Sequence, residues 1–208
     1  TPGAAKSSTT AINGTDDDFL YQKYREGLVE YRFTVPPGTY DVFLKFVELD
    51  SRATAASRLM TVNFESCART DTFSVFALAG KMTALDKSYY TIPVNDGVLN
   101  IAFARAAGAS KDPDVSAIEV RTGGPTTTPT ATRTPTITPT QTNTPTITPT
   151  PTPYLQRVNA GSTTFTDSSG PVWTAVKAFA RNSWGYTAGA ANTTTNAAEP
   201  WWASSSMA

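Results

Sequence analysis

The chain has 208 residues, with 17 basic and 17 acidic side chains, one cysteine and no histidine. Zero formal net charge, with no run of either sign, leaves no electrostatic footprint for nucleic acid or an anionic membrane surface, and no apolar run approaches the ~20 residues of a membrane helix. The missing histidine removes Ser-His-Asp and Cys-His catalysis and nearly every zinc hydrolase, and Cys67 alone can form neither an internal disulfide nor a cysteine-rich metal site, so neither a metal nor a cofactor is expected.

Residues 1–18 are small and polar, carry an Asn13-Gly14 turn signal and end in Asp16-Asp17-Asp18, a triplet without the spaced oxygen donors of a calcium loop. From Phe19 to Gly27 aromatic and charged residues interleave, which leaves Tyr21 and Tyr24 open between core and ligand platform. From Val29 the apolar period becomes two: Tyr31, Phe33 and Val35 alternate with Glu30, Arg32 and Thr34. Pro36-Pro37-Gly38-Thr39 then turns the chain into a strand with Tyr40, Val42, Leu44 and Phe46 on one face, a predicted antiparallel hairpin. Further strands are predicted at 59–65, 72–78, 89–94, 98–105 and 115–121, with Cys67 in a strand as a small hydrophobe and Asn95-Asp96-Gly97 as a hairpin turn. Many short alternating strands and no helix-length periodic segment indicate an all-β fold, an antiparallel β-sandwich of about 122 residues.

Residues 123–153 are a Thr/Pro-rich linker: the run from Gly124 to Pro153 holds more than half of the 15 prolines. Proline removes backbone donors and fixes φ near polyproline II, and almost nothing apolar is available to bury, so a disordered tether is expected. At ~3.1 Å per residue it could span on the order of 90 Å, and stalks of this composition belong outside the cell. The tail, 154–208, is too short for an ordinary core of its own. The chain starts at Thr1, with no signal peptide, and stops after Ser206-Met207-Ala208, so it reads as a piece of a longer polypeptide.

Leu20-Tyr21-Gln22-Lys23-Tyr24-Arg25-Glu26-Gly27, Tyr31-Arg32-Phe33, Val35-Pro36-Pro37-Gly38-Thr39-Tyr40, Leu44-Lys45-Phe46-Val47-Glu48, Asp96-Gly97-Val98-Leu99-Asn100-Ile101 and Ala117-Ile118-Glu119-Val120 occur in an order and spacing that resembles the malectin domains. That resemblance covers residues from about 8 to 121 and implies a jelly-roll or galactose-binding-like sandwich that binds glucose-containing oligosaccharides. Beyond the linker, Arg157-Val158-Asn159-Ala160-Gly161, Phe165-Thr166-Asp167, Val172-Trp173 and Ser183-Trp184-Gly185-Tyr186 look like the opening strand and loops of the same family. The organisation expected is therefore 1–122 as a sandwich lacking its first strand, 123–153 as linker, and 154–208 as the start of a second copy in a tandem array. A body without its first strand exposes an unpaired sheet edge, and the tethered segment Leu155–Ala160 could return to that gap and close one sandwich of permuted connectivity.

The resemblance makes Tyr21 and Tyr186 the candidate ligand aromatics, and places an acidic ligand residue at or beside Asp112, within Lys111-Asp112-Pro113-Asp114. Tyr24 joins them as core or ligand. Where sugar-binding members carry further aromatics after Phe46-Val47-Glu48, this chain has Leu49-Asp50-Ser51-Arg52; a stacking surface is missing, and Asp50 and Arg52 either hydrogen-bond hydroxyls or stand as exposed loop charges. Trp184 is read as packing, and Trp201-Trp202 as truncated core or an exposed sugar platform. Asn13-Gly14-Thr15 and Asn192-Thr193-Thr194 fit the N-glycosylation pattern. The expected function is a non-catalytic module of a secreted or cell-surface multidomain protein, binding a polysaccharide or cell-surface glycan, with no nucleic acid and no membrane insertion. A ligand-free structural or adhesive spacer repeat is the alternative. A glycoside hydrolase, which needs only two carboxyls, has no motif pointing to it.

Overall fold

The computed structural model describes residues 4–27, 29–124, 153–161 and 163–188. Outside them lie nearly all of the linker, the Trp201-Trp202 pair and the Asn192 sequon, on which the expectations above stay as stated. The elements in chain order are β1 (Ala4–Ser7), α1 (Asp18–Gln22), β2 (Lys23–Glu26), β3 (Val29–Thr34), β4 (Gly38–Val47), β5 (Leu59–Phe64), β6 (Arg69–Ser74), α2 (Val75–Ala79), β7 (Ala84–Val94), β8 (Val98–Arg105), β9 (Asp114–Val115), β10 (Ala117–Thr122), β11 (Leu155–Asn159), β12 (Phe165–Thr166), β13 (Val172–Ala175) and β14 (Trp184–Ala188).

Two sheets carry the sandwich. One is ordered β12-β13-β11-β10-β4-β7 and the other β14-β3-β8-β5-β6, while β1-β2-β9 form a small third sheet at one end. Pairing is antiparallel except between β11 and β13. Alternation decides the core: Tyr31 and Phe33 of β3, Leu44 and Phe46 of β4, Met60, Val62 and Phe64 of β5, Leu99 and Ile101 of β8, and Ile118 and Val120 of β10 are all fully buried between the sheets. A smaller core of Ile12, Leu20, Tyr21, Val47, Ala117 and Trp173, with Phe165 packed against it, lies where α1 crosses the outside of the six-stranded sheet.

The segment after the Thr/Pro-rich run is built into both sheets. β11 pairs with β10 from Ala117↔Asn159 to Arg121↔Leu155, and β14 pairs with β3 from Trp184↔Phe33 to Ala188↔Val29. Thr122 N donates to Tyr154 O (2.9 Å) and Tyr154 N to Thr122 Oγ1 (2.7 Å), so the two ends of the linker meet. Val158 and Ala160 are fully buried in the main core; covering a valine side chain is worth roughly 1.5–3 kcal/mol.

Four local details differ from the reading of the sequence. The strand expected over 72–78 ends at Ser74, whose hydroxyl accepts from Ala77 N (3.4 Å) and caps the one-turn helix α2, a start that serine favours over continuing the strand. The small, polar stretch 1–18, in which no strand is predicted, contains β1, four residues paired with β2 although they carry no alternation. Cys67 falls in a short 3₁₀ turn, Glu65–Cys67, rather than in a strand. The strand expected from Tyr89 also begins earlier, at Ala84.

Two glycines of the last segment show how closely it fits. A Cβ on Gly161 would lie 2.1 Å from Tyr24 N and 2.5 Å from Lys23 C, both backbone atoms of the β2 strand. A Cβ on Gly185 would lie 2.4 Å from Phe179 N. Gly161→Ala is expected to lower stability by about 1–3 kcal/mol, the range for forcing atoms into a filled interior, read from urea unfolding midpoints; an unchanged midpoint would disprove the close approach. Because β11 and β14 are held by both sheets, cutting the linker with a protease should leave the pieces co-eluting on gel filtration under native conditions, whereas free separation would show that the docking does not persist without the tether.

Candidate functional site

The end of the sandwich formed by β2, β9, the chain after β4 and the segment 106–113 gathers charge around Arg58. The Arg58 Nε donates to Glu48 Oε2 at 3.0 Å, and its Nη1 lies 3.2 Å from Asp114 Oδ2, 3.6 Å from Glu26 Oε1 and 2.5 Å from the Asp112 carbonyl. Glu48 is fully buried, and Arg58 and Asp114 are each 4% exposed. One guanidinium thus faces three carboxylates, two of them removed from water; Lys6 shares Glu26 at 2.5 Å. Carboxylates so crowded cannot all ionise cheaply. Burial, opposed by Arg58 and reinforced by Glu48 and Glu26, pushes Asp114 up to about 7. Its Oδ1 is buried without a hydrogen-bond partner among the described residues, an acceptor that a donor would satisfy.

The rim of this cluster is made by loop residues. Asp50 N donates to Glu48 Oε1 (2.9 Å), while the Asp50 carboxylate pairs with Lys111 and accepts from Arg52 N (2.8 Å). The Lys111 ammonium first, and then the Arg52 N–H, hold Asp50 down at about 2, so it is charged at neutral pH. Asp112 pairs with Arg105, whose Nε lies 3.1 Å from its Oδ1. Tyr24 of β2 is half-buried, and its phenol is raised by burial and then by Asp114 and Glu26.

Of the five residues expected to bind a ligand, Tyr24, Asp50 and Asp112 meet at this end; Tyr21 and Tyr186 lie elsewhere. Tyr21 is 3% exposed in the smaller core, with its hydroxyl donating to Asp86 Oδ1 (2.5 Å) and accepting from Lys45 Nζ (3.2 Å), so its ring presents no stacking face. Tyr186 packs against the main core and carries the Arg25 guanidinium 3.9 Å from its ring centroid. Arg25 also donates through Nε to Ala160 O (3.3 Å), which ties the last segment to β2. Trp184 stacks on Phe33 at 6.3 Å and is a packing residue. Sequence reasoning quoted Glu26, Glu48 and Asp114 inside motifs without assigning them a role, and missed Arg58, which stands in an Ala/Ser-rich loop with no periodic or motif signal. Among the described residues no cluster of three His, Cys, Asp or Glu could hold a metal ion, and no helix is long and apolar enough to cross a membrane.

Comparison with known proteins adds three observations. The family model described as Malectin domain matches residues 3–118, more than half of the chain. No curated protein matches. Among solved structures, a β-glucuronidase from Bacteroides uniformis superposes with a TM-score of 0.50 at 24% identity over 57% of this chain, and a plant receptor-like kinase, ANX1, with 0.51 at 15% identity over 58%. The chain covers only 13% of the first and 38% of the second, so these two likenesses concern the fold of one sandwich domain.

The elevated carboxyls give a pH test. A group whose folded value exceeds its unfolded one stabilises the fold below the unfolded value, and that stabilisation is lost as pH rises through the folded value. Asp114 therefore makes stability fall between about pH 4 and pH 7, by on the order of 2–4 kcal/mol. Glu65, pushed up to about 7 by burial against the opposing Asn100 N–H, acts in the same direction. Urea midpoints at pH 5 and pH 8 should drop in the parent protein and drop markedly less in Asp114→Asn; identical drops would remove Asp114 from this role.

Proposed function

Since the chain belongs to the malectin-domain family, we propose that it is a non-catalytic carbohydrate-binding module of an extracellular protein, taking neutral glucose-type oligosaccharides at the loop end around Arg58. The observation that carries this reading is a half-buried tyrosine, Tyr24, beside the buried Glu48–Arg58–Asp114 cluster whose loops also carry Asp50 and Asp112. Neutral sugars offer hydroxyl edges and apolar CH faces, so a tyrosine at the same end of the sandwich as carboxylates and cations suits them. Asp50 and Asp112 accept from hydroxyls, Lys111 and Arg105 donate, and Arg58 fixes the backbone of Asp112 from below. Glu48 and Asp114 both face Arg58, which holds this end in one geometry. A polysaccharide or cell-surface glycan is the partner.

The motifs from Arg157 to Tyr186 repeat the opening of the family pattern, and we read them as the start of a second copy whose first strands fill the edges left open in the first. A structural spacer without ligand is the second reading. One observation favours it: the loop after Glu48 offers no aromatic, and Asp50 and Asp112 are already paired with Lys111 and Arg105.

The deciding experiment follows tryptophan fluorescence of the whole chain during titration with neutral oligosaccharides, including α- and β-linked glucose disaccharides. Saturable binding is expected, lost in Tyr24→Ala, Asp50→Ala and Asp112→Ala and retained in Tyr21→Phe. A cooperatively melting protein that responds to no sugar would establish the spacer reading instead.

A further inference from the structure

The outer face of the six-stranded sheet carries α1, Trp173 and Phe165 over Val47 and Ala117; toward its other end Arg121 and Leu155 are exposed, Phe43, Glu119 and Arg157 half-buried, and Asp41 is buried beside Arg121. The registers set out that end in rows across the strands: Leu155, Arg121 and Asp41 in one, and Arg157, Glu119, Phe43 and Ser88 in the next.

The backbone at its edge is distorted in a way that turns an aromatic ring outward. Tyr40 pairs with Ile92 and Val42 with Tyr89, so Asp41 alone opposes both Tyr90 and Thr91, which is a β-bulge. Thr91 adopts φ +57°, a costly conformation for a β-branched residue. The bulge is pinned by its neighbours: Asp41 Oδ1 accepts from Thr91 N (3.1 Å) and Arg69 Nη1 donates to Tyr90 O (3.4 Å). The result is a Tyr90 ring 52% exposed, standing edge-to-face against Phe43 with centroids 5.8 Å apart. The other side of the platform is closed by Arg121, whose guanidinium lies 4.3 Å over the Phe43 ring.

The charges around these rings are matched. Arg121 lies 3.8 Å from Asp41 and Arg157 2.6 Å from Glu119, two cations against two anions. A surface whose charges neutralise one another complements an uncharged ligand, and its guanidinium and carboxylate edges still offer donors and acceptors to hydroxyls. From β7 across β4 and β10 to β11 the platform is ~14 Å wide, three interstrand spacings, which is room for more than one sugar ring.

We propose that this half-face is a second carbohydrate-binding surface, separate from the loop end, on which the Tyr90 ring stacks against a sugar unit of a neutral polysaccharide while Arg121 and Glu119 meet its hydroxyls. Its ligand class rests on the carbohydrate-binding reading above; its position does not. The surface accepts a chain lying across the strands, so it engages polymers, whereas the loop end takes short oligosaccharides.

The test measures depletion of the whole chain from solution by insoluble cellulose and by starch granules, alongside the disaccharide titration. Tyr90→Ala and Phe43→Ala should lower polysaccharide affinity by about tenfold or more and leave disaccharide binding unchanged. Tyr90→Phe, which keeps the ring, should bind as the parent does, and unaltered melting temperatures of Tyr90→Ala and Tyr90→Phe confirm folding. Polysaccharide binding unchanged by Tyr90→Ala overturns the second surface. So does disaccharide binding with no retention on either polymer, and in that case the loop-end reading stands. Retention on polymer that depends on Tyr90, with no disaccharide response, supports this surface and refutes the loop end. Absence of both responses refutes the two together.

Discussion

Backbone pairing of β11 with β10 is the contact on which the remaining arrangement depends. An unpaired strand edge leaves a row of donors and acceptors without partners, and β10 would present such an edge at the centre of the six-stranded sheet. β11 covers it and carries Val158 and Ala160 into the main core. Immediately beyond, Gly161 lies against the β2 backbone so closely that any side chain would collide. Arg25, on one face of β2, reaches back to Ala160 O and lies over Tyr186. Tyr24 and Glu26, on the other face, look toward Arg58. The position of the loop-end cluster is therefore set, through one short strand, by a segment that lies beyond the linker in sequence.

The cluster itself is arranged for specificity more than for stability. Buried ion pairs recover little beyond the cost of removing their charges from water, and here three carboxylates share one guanidinium. What the arrangement supplies is a fixed geometry: Arg58 binds a side chain at the end of β4, a side chain of β9, a side chain of β2 and the backbone of the segment before β9. Four separate pieces of chain are brought into register by one residue.

Much of the sandwich was legible in the sequence because its strands bury one face only. The alternation from Val29 to Phe46 and the Asn95-Asp96-Gly97 turn reported the strands that fill the core, since period two and turn chemistry are local properties. β1 could not be read in the same way, because its four residues are all exposed and no buried face imprints a pattern on them. The end of β6 was hidden by a Ser-Val-Phe-Ala-Leu run that suits either state until Ser74 caps a helix. At the loop end, motif pointed to Asp112 and a departure from the family pattern to Asp50, with Tyr24 left open between core and ligand, yet motif could not separate Tyr21, three residues before Tyr24, whose burial is decided by α1 folding over Lys45 and Asp86. Arg58 was invisible because its importance lies in partners up to 56 residues away, Asp114 among them.

The pairing of β14 with β3 has a kinetic meaning as well. Thr187 Oγ1 reaches Glu30 O across 157 residues of chain, so this contact is among the least local the fold contains. Contacts of such separation form late, because the entropy of closing the intervening loop is lost before the pairing returns anything; yet that entropy grows only logarithmically, about 0.6 kcal/mol for each doubling of length. The duration of the wait is thus insensitive to how long the Thr/Pro run is. Throughout it, β3 and β10 are open templates at the margins of two sheets, and a chain emerging N-terminus first carries both templates before its own closing strands exist. Assembly is then a competition between a tethered strand and any strand in the surroundings, and the tether's contribution is to make its own strand arrive first.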